Sequence, residues 1–256
     1  MSKARLSLLA LVLLLAQGLA RGEEPKPEDN SPQVLVTLPL TLLPGQPQKL
    51  VIRGLKLAEA SEVRLDGLTL PVNILSKGAA AVPDKFDAAA AGDTQVEVEL
   101  TLPAETPPGS VSLVVVTPGG ASSPREIAVL AADQFAAAVE PNAGFGDAQP
   151  ITIGQAIEGM IGEPRDVDVF RLPCQAGQRL VIETEAARLG SVADTILTLY
   201  DGQGRILAVS DDFGENTDSR IDFTVPADGE YFIALIDAHD RGGPVHVYRL
   251  VVRLED

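Results

Sequence analysis

The chain has 256 residues, 45% hydrophobic and 22% charged, with one Cys, two His and no Trp. That length allows one or two domains, the hydrophobic share excludes wholesale disorder, and a single Cys excludes an intramolecular disulfide framework. The balance of 20 Lys+Arg against 36 Asp+Glu, net −16, argues against nucleic acid or anionic membrane as a partner, since clustered cations hold both.

Lys3 and Arg5 precede an apolar run from Leu6 to Ala16, followed by Gln17-Gly18-Leu19-Ala20. A basic start, a short apolar core and small residues before a polar stretch describe a secretory signal peptide, expected over residues 1–22. The run is shorter than the roughly 20 residues that span a bilayer. Cleavage after Ala20 or after Gly22 fits the small-residue pattern. No Cys ends the run and no later stretch reaches membrane length, so no membrane insertion is expected after cleavage. The expected location is secreted, periplasmic or cell surface. Residues 23–32 begin EEPKPEDNS and read as a flexible linker, too polar to offset the entropy of ordering.

Beyond Ser31 come short apolar runs punctuated by Gly and Pro. In the first half, strands are expected at 34–40, 49–53, 62–65, 72–75, 94–102, 111–117 and 126–130. Gln95 to Leu100 alternates polar and apolar residues, as a strand with one solvated face does. Pro44-Gly45, Asp66-Gly67, Pro107-Pro108-Gly109 and Pro118-Gly119-Gly120 supply the turns. Seven short strands over residues 33–131 indicate an Ig-like β-sandwich. Ala79 to Gly92 reads as a long Ala-rich loop with room for a helical turn. Ala131 to Val139 reads as a connector or short helix with few side chains able to lock the halves together.

In the second half, strands are expected at 157–161, 167–172, 179–185, 196–200, 206–209, 221–225, 231–236 and 245–254. Ile221, Phe223 and Val225 share one face, as do Tyr248, Leu250, Val252 and Leu254. The fold class is therefore all-β, an Ig-like sandwich followed by a jelly-roll-type sandwich over 138–256. The acid excess belongs to the second half. Residues 33–131 carry 7 basic and 10 acidic side chains; residues 132–256 carry 9, all Arg, and 22. Solubility or a cation site would each account for it.

Several segments of the second half keep a recognisable order: Glu140-Pro141-Asn142, Ile157-Glu158-Gly159, Asp166-Val167-Asp168-Val169-Phe170, Leu197-Thr198-Leu199-Tyr200-Asp201, Pro226-Ala227-Asp228-Gly229-Glu230-Tyr231 and Tyr248-Arg249-Leu250. Together they resemble the bacterial pre-peptidase C-terminal (PPC) domain, a jelly roll appended to secreted peptidases and other exported proteins. Collagen-binding domains of clostridial collagenases look like relatives, and that kinship implies calcium. The ligand positions it implies are Glu140 and Asn142 near the domain start, with Asp166 and Asp168. Two further acidic positions of the relatives are Ala138 and Ala143 here, which weakens the implied site. In the first half, Leu42-Leu43-Pro44-Gly45, Leu50 to Leu57 and Val116 to Ser122 resemble an IPT/TIG domain.

The residues leave alternatives open. By strand alternation Asp166 and Asp168 share the inward face of Phe170 and Leu172, and an inward carboxylate must be hydrogen-bonded, paired or metal-bound. Calcium satisfies that demand; so does hydrogen bonding or pairing with Arg165 or Arg171. His246 reads as a packed or rim residue, His239 as part of a polar loop, and Cys174 as a buried small residue rather than a reactive thiol. Neither a Gly-x-Ser-x-Gly elbow nor a His-Glu-x-x-His pair occurs. Carboxylate pairs in turns read as caps for backbone amides. The expectation is an exported, non-catalytic binding or scaffolding protein of the envelope or extracellular space, whose partner is an extracellular protein or polymer. A self-assembling surface component and a metal-dependent hydrolase, or an accessory to one, remain as alternatives.

Overall fold

The computed structural model describes residues 29–255; the expected signal peptide lies outside them. Four antiparallel-rich sheets make up the fold. In the first half, Gln33–Leu38, Pro47–Leu55, Thr94–Thr101 and Val72–Ala79 form one sheet in that order. Thr41–Leu42, Arg125–Val129, Gly109–Thr117 and Glu62–Asp66 form the second. Their inward residues, among them Leu50, Ile52, Val96, Val98, Leu113 and Ile127, make one apolar core. Thr94–Thr101 shows the expected alternation, with Val96, Val98 and Leu100 buried and their neighbours partly solvated.

The second half repeats the plan. One sheet runs Phe135–Ala137, Ala156–Met160, Val247–Leu254, Arg179–Glu185, Arg220–Thr224. Facing it are Gln149–Pro150, Asp168–Cys174, Gly229–Asp237, Thr195–Tyr200 and Ile206–Ser210. Phe170, Leu172, Leu197, Ile233, Tyr248 and Leu250 fill the space between. The protein is all-β.

Two segments whose form the sequence left open are resolved in the structure. The Ala-rich loop contains a helical turn, Ala88–Ala91, because the Asp87 side chain accepts from Ala90 N at 2.9 Å and caps it. The connector opens with the short helix, a 3-10 turn at Ala132–Gln134, and then adds an unexpected element, Phe135–Ala137 as a parallel edge strand to Ala156–Met160.

The two sandwiches also touch. Val36 and Leu40 of the first pack with Val247 of the second, flanked by Leu38 and Leu189. Arg249 Nη1 donates to Thr41 Oγ1 at 3.0 Å, and Leu40 N donates to Glu158 Oε1. Phe86 meets the ring of His246 edge-on, centroids 5.4 Å apart, while Arg241 lies over the Phe86 ring. These contacts come from strand faces and distant loops rather than from the connector.

Candidate metal centre

Strand Asp168–Cys174 positions the first acidic residue. Asp168, Phe170 and Leu172 all point inward and all are fully buried. Asp166 does not continue this alternation, since the strand begins at Asp168. It sits instead in the turn closed by Asp166 N donating to Glu163 O, and its carboxylate accepts from Gly162 N at 2.7 Å. Neither nearby arginine pairs with these carboxylates. Arg165 lies against Asp240 (3.7 Å) and Arg171 against Glu230 (3.5 Å).

Glu140 and Asn142 reach the same place from the connector. Asn142 N donates to Glu140 Oε2 at 3.1 Å, and Asn142 O accepts from Val169 N at 2.9 Å. This stitches the Glu140–Asn142 segment to the start of the Asp168 strand. One carboxylate oxygen each from Glu140, Asp166 and Asp168 lies within 4.8 Å of the other two.

Electrostatics make this arrangement costly without a positive partner. Burial raises the Asp168 carboxyl well above the usual carboxylate range, and the carboxylates of Glu140 and Asp166 raise it further, against the Tyr248 hydroxyl, which lowers it. Tyr248 is fully buried and donates to Asp168 Oδ2. Asp168 Oδ1 is buried and has no hydrogen-bond partner among the described residues, and neither has either amide atom of the fully buried Asn142. Orphaned oxygens beside clustered carboxylates fit a hard cation, which takes oxygen donors and tolerates irregular geometry.

Tyr248 is the member of this group that strand alternation read only as core. Its phenol lies over Gly159, its cross-strand neighbour, where any side chain would collide with it. A Tyr facing a Gly was the available signal.

A second carboxylate group joins Asp194, Asp211 and Asp212. Asp211 and Asp212 are exposed, and Asp194 is engaged by His239 Nδ1 at 3.2 Å. Asp237 is a cap, accepting from the backbone N–H groups of Asp194, His239 and Arg241. Although burial opposes it, those bonds keep its carboxyl below the ordinary range. Cys174 lies in the core, and burial pushes its thiol up to about 11, so it stays protonated at neutral pH. His246 is also buried, with both ring nitrogens unpartnered among the described residues.

The family model described as the bacterial pre-peptidase C-terminal domain covers the strands from the Asp166 turn to Gly229–Asp237. Residues 166–236 match the pre-peptidase C-terminal domain. A probable subtilase-type serine protease of Deinococcus radiodurans is 39% identical over 97 residues, which is 37% of this chain. The chain thus spans 13% of the length of that relative. Among solved structures, the pre-peptidase C-terminal domain of a Bacillus anthracis collagenase is 16% identical, covering 41% of this chain and 94% of that one, with a TM-score of 0.35. A periplasmic inhibitor of g-type lysozyme from Aeromonas hydrophila is 17% identical, covering 42% and 99%, with a TM-score of 0.31. No helix among the described residues is long and apolar enough to cross a membrane.

Proposed function

We propose that this chain is an exported, non-catalytic binding or scaffolding protein whose second sandwich is tightened by calcium held at Glu140, Asn142, Asp166 and Asp168. Its two domains are residues 33–131, IPT/TIG-like, and 138–256, of pre-peptidase C-terminal type. Its place is the envelope or the extracellular space, and its partner an extracellular protein or polymer. The match to a short part of a probable subtilase-type serine protease supports the reading of an appended module.

The observation that carries the calcium reading is Asp168 Oδ1, buried and unpartnered among the described residues within the group it forms with Glu140 and Asp166, together with the buried, unpartnered amide of Asn142, whose backbone N–H bonds Glu140. Asp168 would bind through the oxygen that Tyr248 leaves free. Calcium takes 6–8 oxygens, so four side chains leave part of its shell to water, and the missing carboxylates at Ala138 and Ala143 place the affinity near the roughly 10⁻⁴–10⁻³ M of extracellular modules. At about 10 mM calcium this adds roughly 1.4–2.7 kcal/mol of stability. Thermal unfolding with calcium or with EDTA tests it. The wild type should melt higher in calcium, Asp168→Ala should lose that increment, and Asp222→Ala on the exposed face should keep it. A wild-type curve that calcium does not move refutes the site. Pull-down from envelope or medium with the calcium-loaded chain tests the binding role separately.

A further inference from the structure

The seam between the sandwiches contains two titratable side chains that nothing above puts to use. At one end, Glu158 accepts from Leu40 N through Oε1, while its Oε2 is buried and unpartnered among the described residues. The cation facing it is its cross-strand neighbour Arg249, already held by Glu185 (2.6 Å) and Thr41. At the other end lies His246, 1% exposed, with neither ring nitrogen bonded. Between them Val36, Leu40 and Val247 form the apolar middle of the seam.

Charged groups surround His246 on every side, yet none bonds its ring. Asp84 and Lys85 flank Phe86 on the first sandwich. Asp237, His239, Asp240 and Arg241 belong to the turn before His246, and Glu163 and Arg165 flank Pro164 in the loop beside it. Asp237 spends its oxygens on three backbone N–H groups, Asp240 lies against Arg165, and His239 against Asp194.

We infer that closing the seam moves a proton from His246 to Glu158 with no net uptake, so the sandwiches stay joined through mild acid. The reason is burial, which leaves the His246 ring and one Glu158 oxygen without partners among the described residues and disfavours the charged form of any group. An acid and a base buried in that way answer pH in opposite senses. Burial raises Glu158 to about 7, against its bonds to Leu40 and Thr41 and the charge of Arg249. Burial lowers His246, with Asp237 opposing and Arg241 adding to the shift.

The proton balance follows. With the seam open and the pH just below about 6.5, both groups titrate near their ordinary values, so Glu158 is ionised and His246 protonated. With the seam closed, burial favours the neutral form of both. One proton leaves an imidazolium nitrogen and one arrives at a carboxylate oxygen. Equal proton counts in the two states mean no slope of closure against pH.

Nitroxides on Glu105→Cys and Thr152→Cys, both exposed loop positions, report the separation of the sandwiches in the full chain, since Cys174 is buried. The open-to-closed ratio of the otherwise wild-type protein should stay nearly flat from pH 6.5 down to His246's depressed pKa. In Glu158→Gln, which keeps the acceptor for Leu40 N, the ratio should rise by up to about tenfold per pH unit of acidification over that range. In His246→Phe, which keeps a ring against Phe86, it should fall by a comparable factor. A steep wild-type response, or a variant as flat as the wild type, overturns the inference. Should a variant fail to fold, carbon NMR of the wild type decides. His246 must then titrate below its ordinary value and Glu158 above, and either one titrating normally with the seam closed overturns it.

Discussion

Gly159 and Tyr248 face each other across neighbouring antiparallel strands, and the phenol occupies the space that a side chain at 159 would need. A Cβ there would collide with the phenolic oxygen and stand 2.8 Å from Ala138 Cβ. That oxygen donates to Asp168, so one missing methyl group connects a core strand to the carboxylate cluster. Gly159→Ala should therefore cost about 1–3 kcal/mol through overpacking. It should also shrink the calcium increment, by shifting the tyrosine that orients Asp168. Melting curves with and without calcium separate the two effects. Met160→Ala, one residue on and exposed, should leave both nearly unchanged.

Asn142 offers a test by sign. Its amide is fully buried and bonds to nothing among the described residues, and such groups cost about 1–3 kcal/mol each when left unsatisfied. In EDTA, Asn142→Leu should leave stability unchanged or raise it, because two orphaned polar atoms disappear. In calcium the same variant should fall below the wild type by the lost increment. Equal shifts of the wild type and variant on adding calcium would place the Asn142 oxygen outside the site.

Which parts of this were legible follows from what sequence patterns measure. Alternation found the strands because a half-buried strand must alternate, as Val96, Val98 and Leu100 do. It also sent Asp168 inward beside Phe170. It put Asp166 on that face for the wrong reason, since a turn, not the strand, brings Asp166 near. The last strand shows the limit more sharply. Tyr248, Leu250 and Val252 point inward as read, yet Val247 and Arg249 are buried too, because the first sandwich covers the other face. A period of two reports that a face is apolar, not what lies against it. Tyr248 and Asp168 are 80 positions apart, and no local pattern pairs them.

Asp218 carries a structural load that the acid-rich composition hides. Its Oδ1 accepts from Ala186 N and Ala187 N, both at 2.7 Å, and Oδ2 pairs with Arg188 Nε at 3.0 Å. The side chain is buried. Asp218→Ala orphans these donors together and should cost roughly 3 kcal/mol, with Asp218→Asn about half as damaging. Chemical denaturation in EDTA measures it free of any calcium effect. A loss under about 1 kcal/mol would mean that water replaces the carboxylate without penalty.

The pH dependence of calcium binding follows from Asp168. Burial first, then the carboxylates of Glu140 and Asp166, raise its carboxyl in the folded chain. A carboxyl raised on folding binds its proton more tightly in the native state. Without calcium, its contribution therefore favours folding in acid and is lost as the pH climbs from the ordinary carboxylate range through the raised value. Calcium needs the ionised form, so it takes the proton's place and binds more tightly as the pH rises, by up to about tenfold per pH unit for each proton displaced. Melting temperatures in calcium and in EDTA should nearly coincide at pH 5 and separate progressively toward pH 8. Asp168→Asn, which still accepts from Tyr248 but cannot ionise, should abolish that widening gap. Curves that stay parallel from pH 5 to pH 8 would show that the ion, if bound, does not compete with the Asp168 proton.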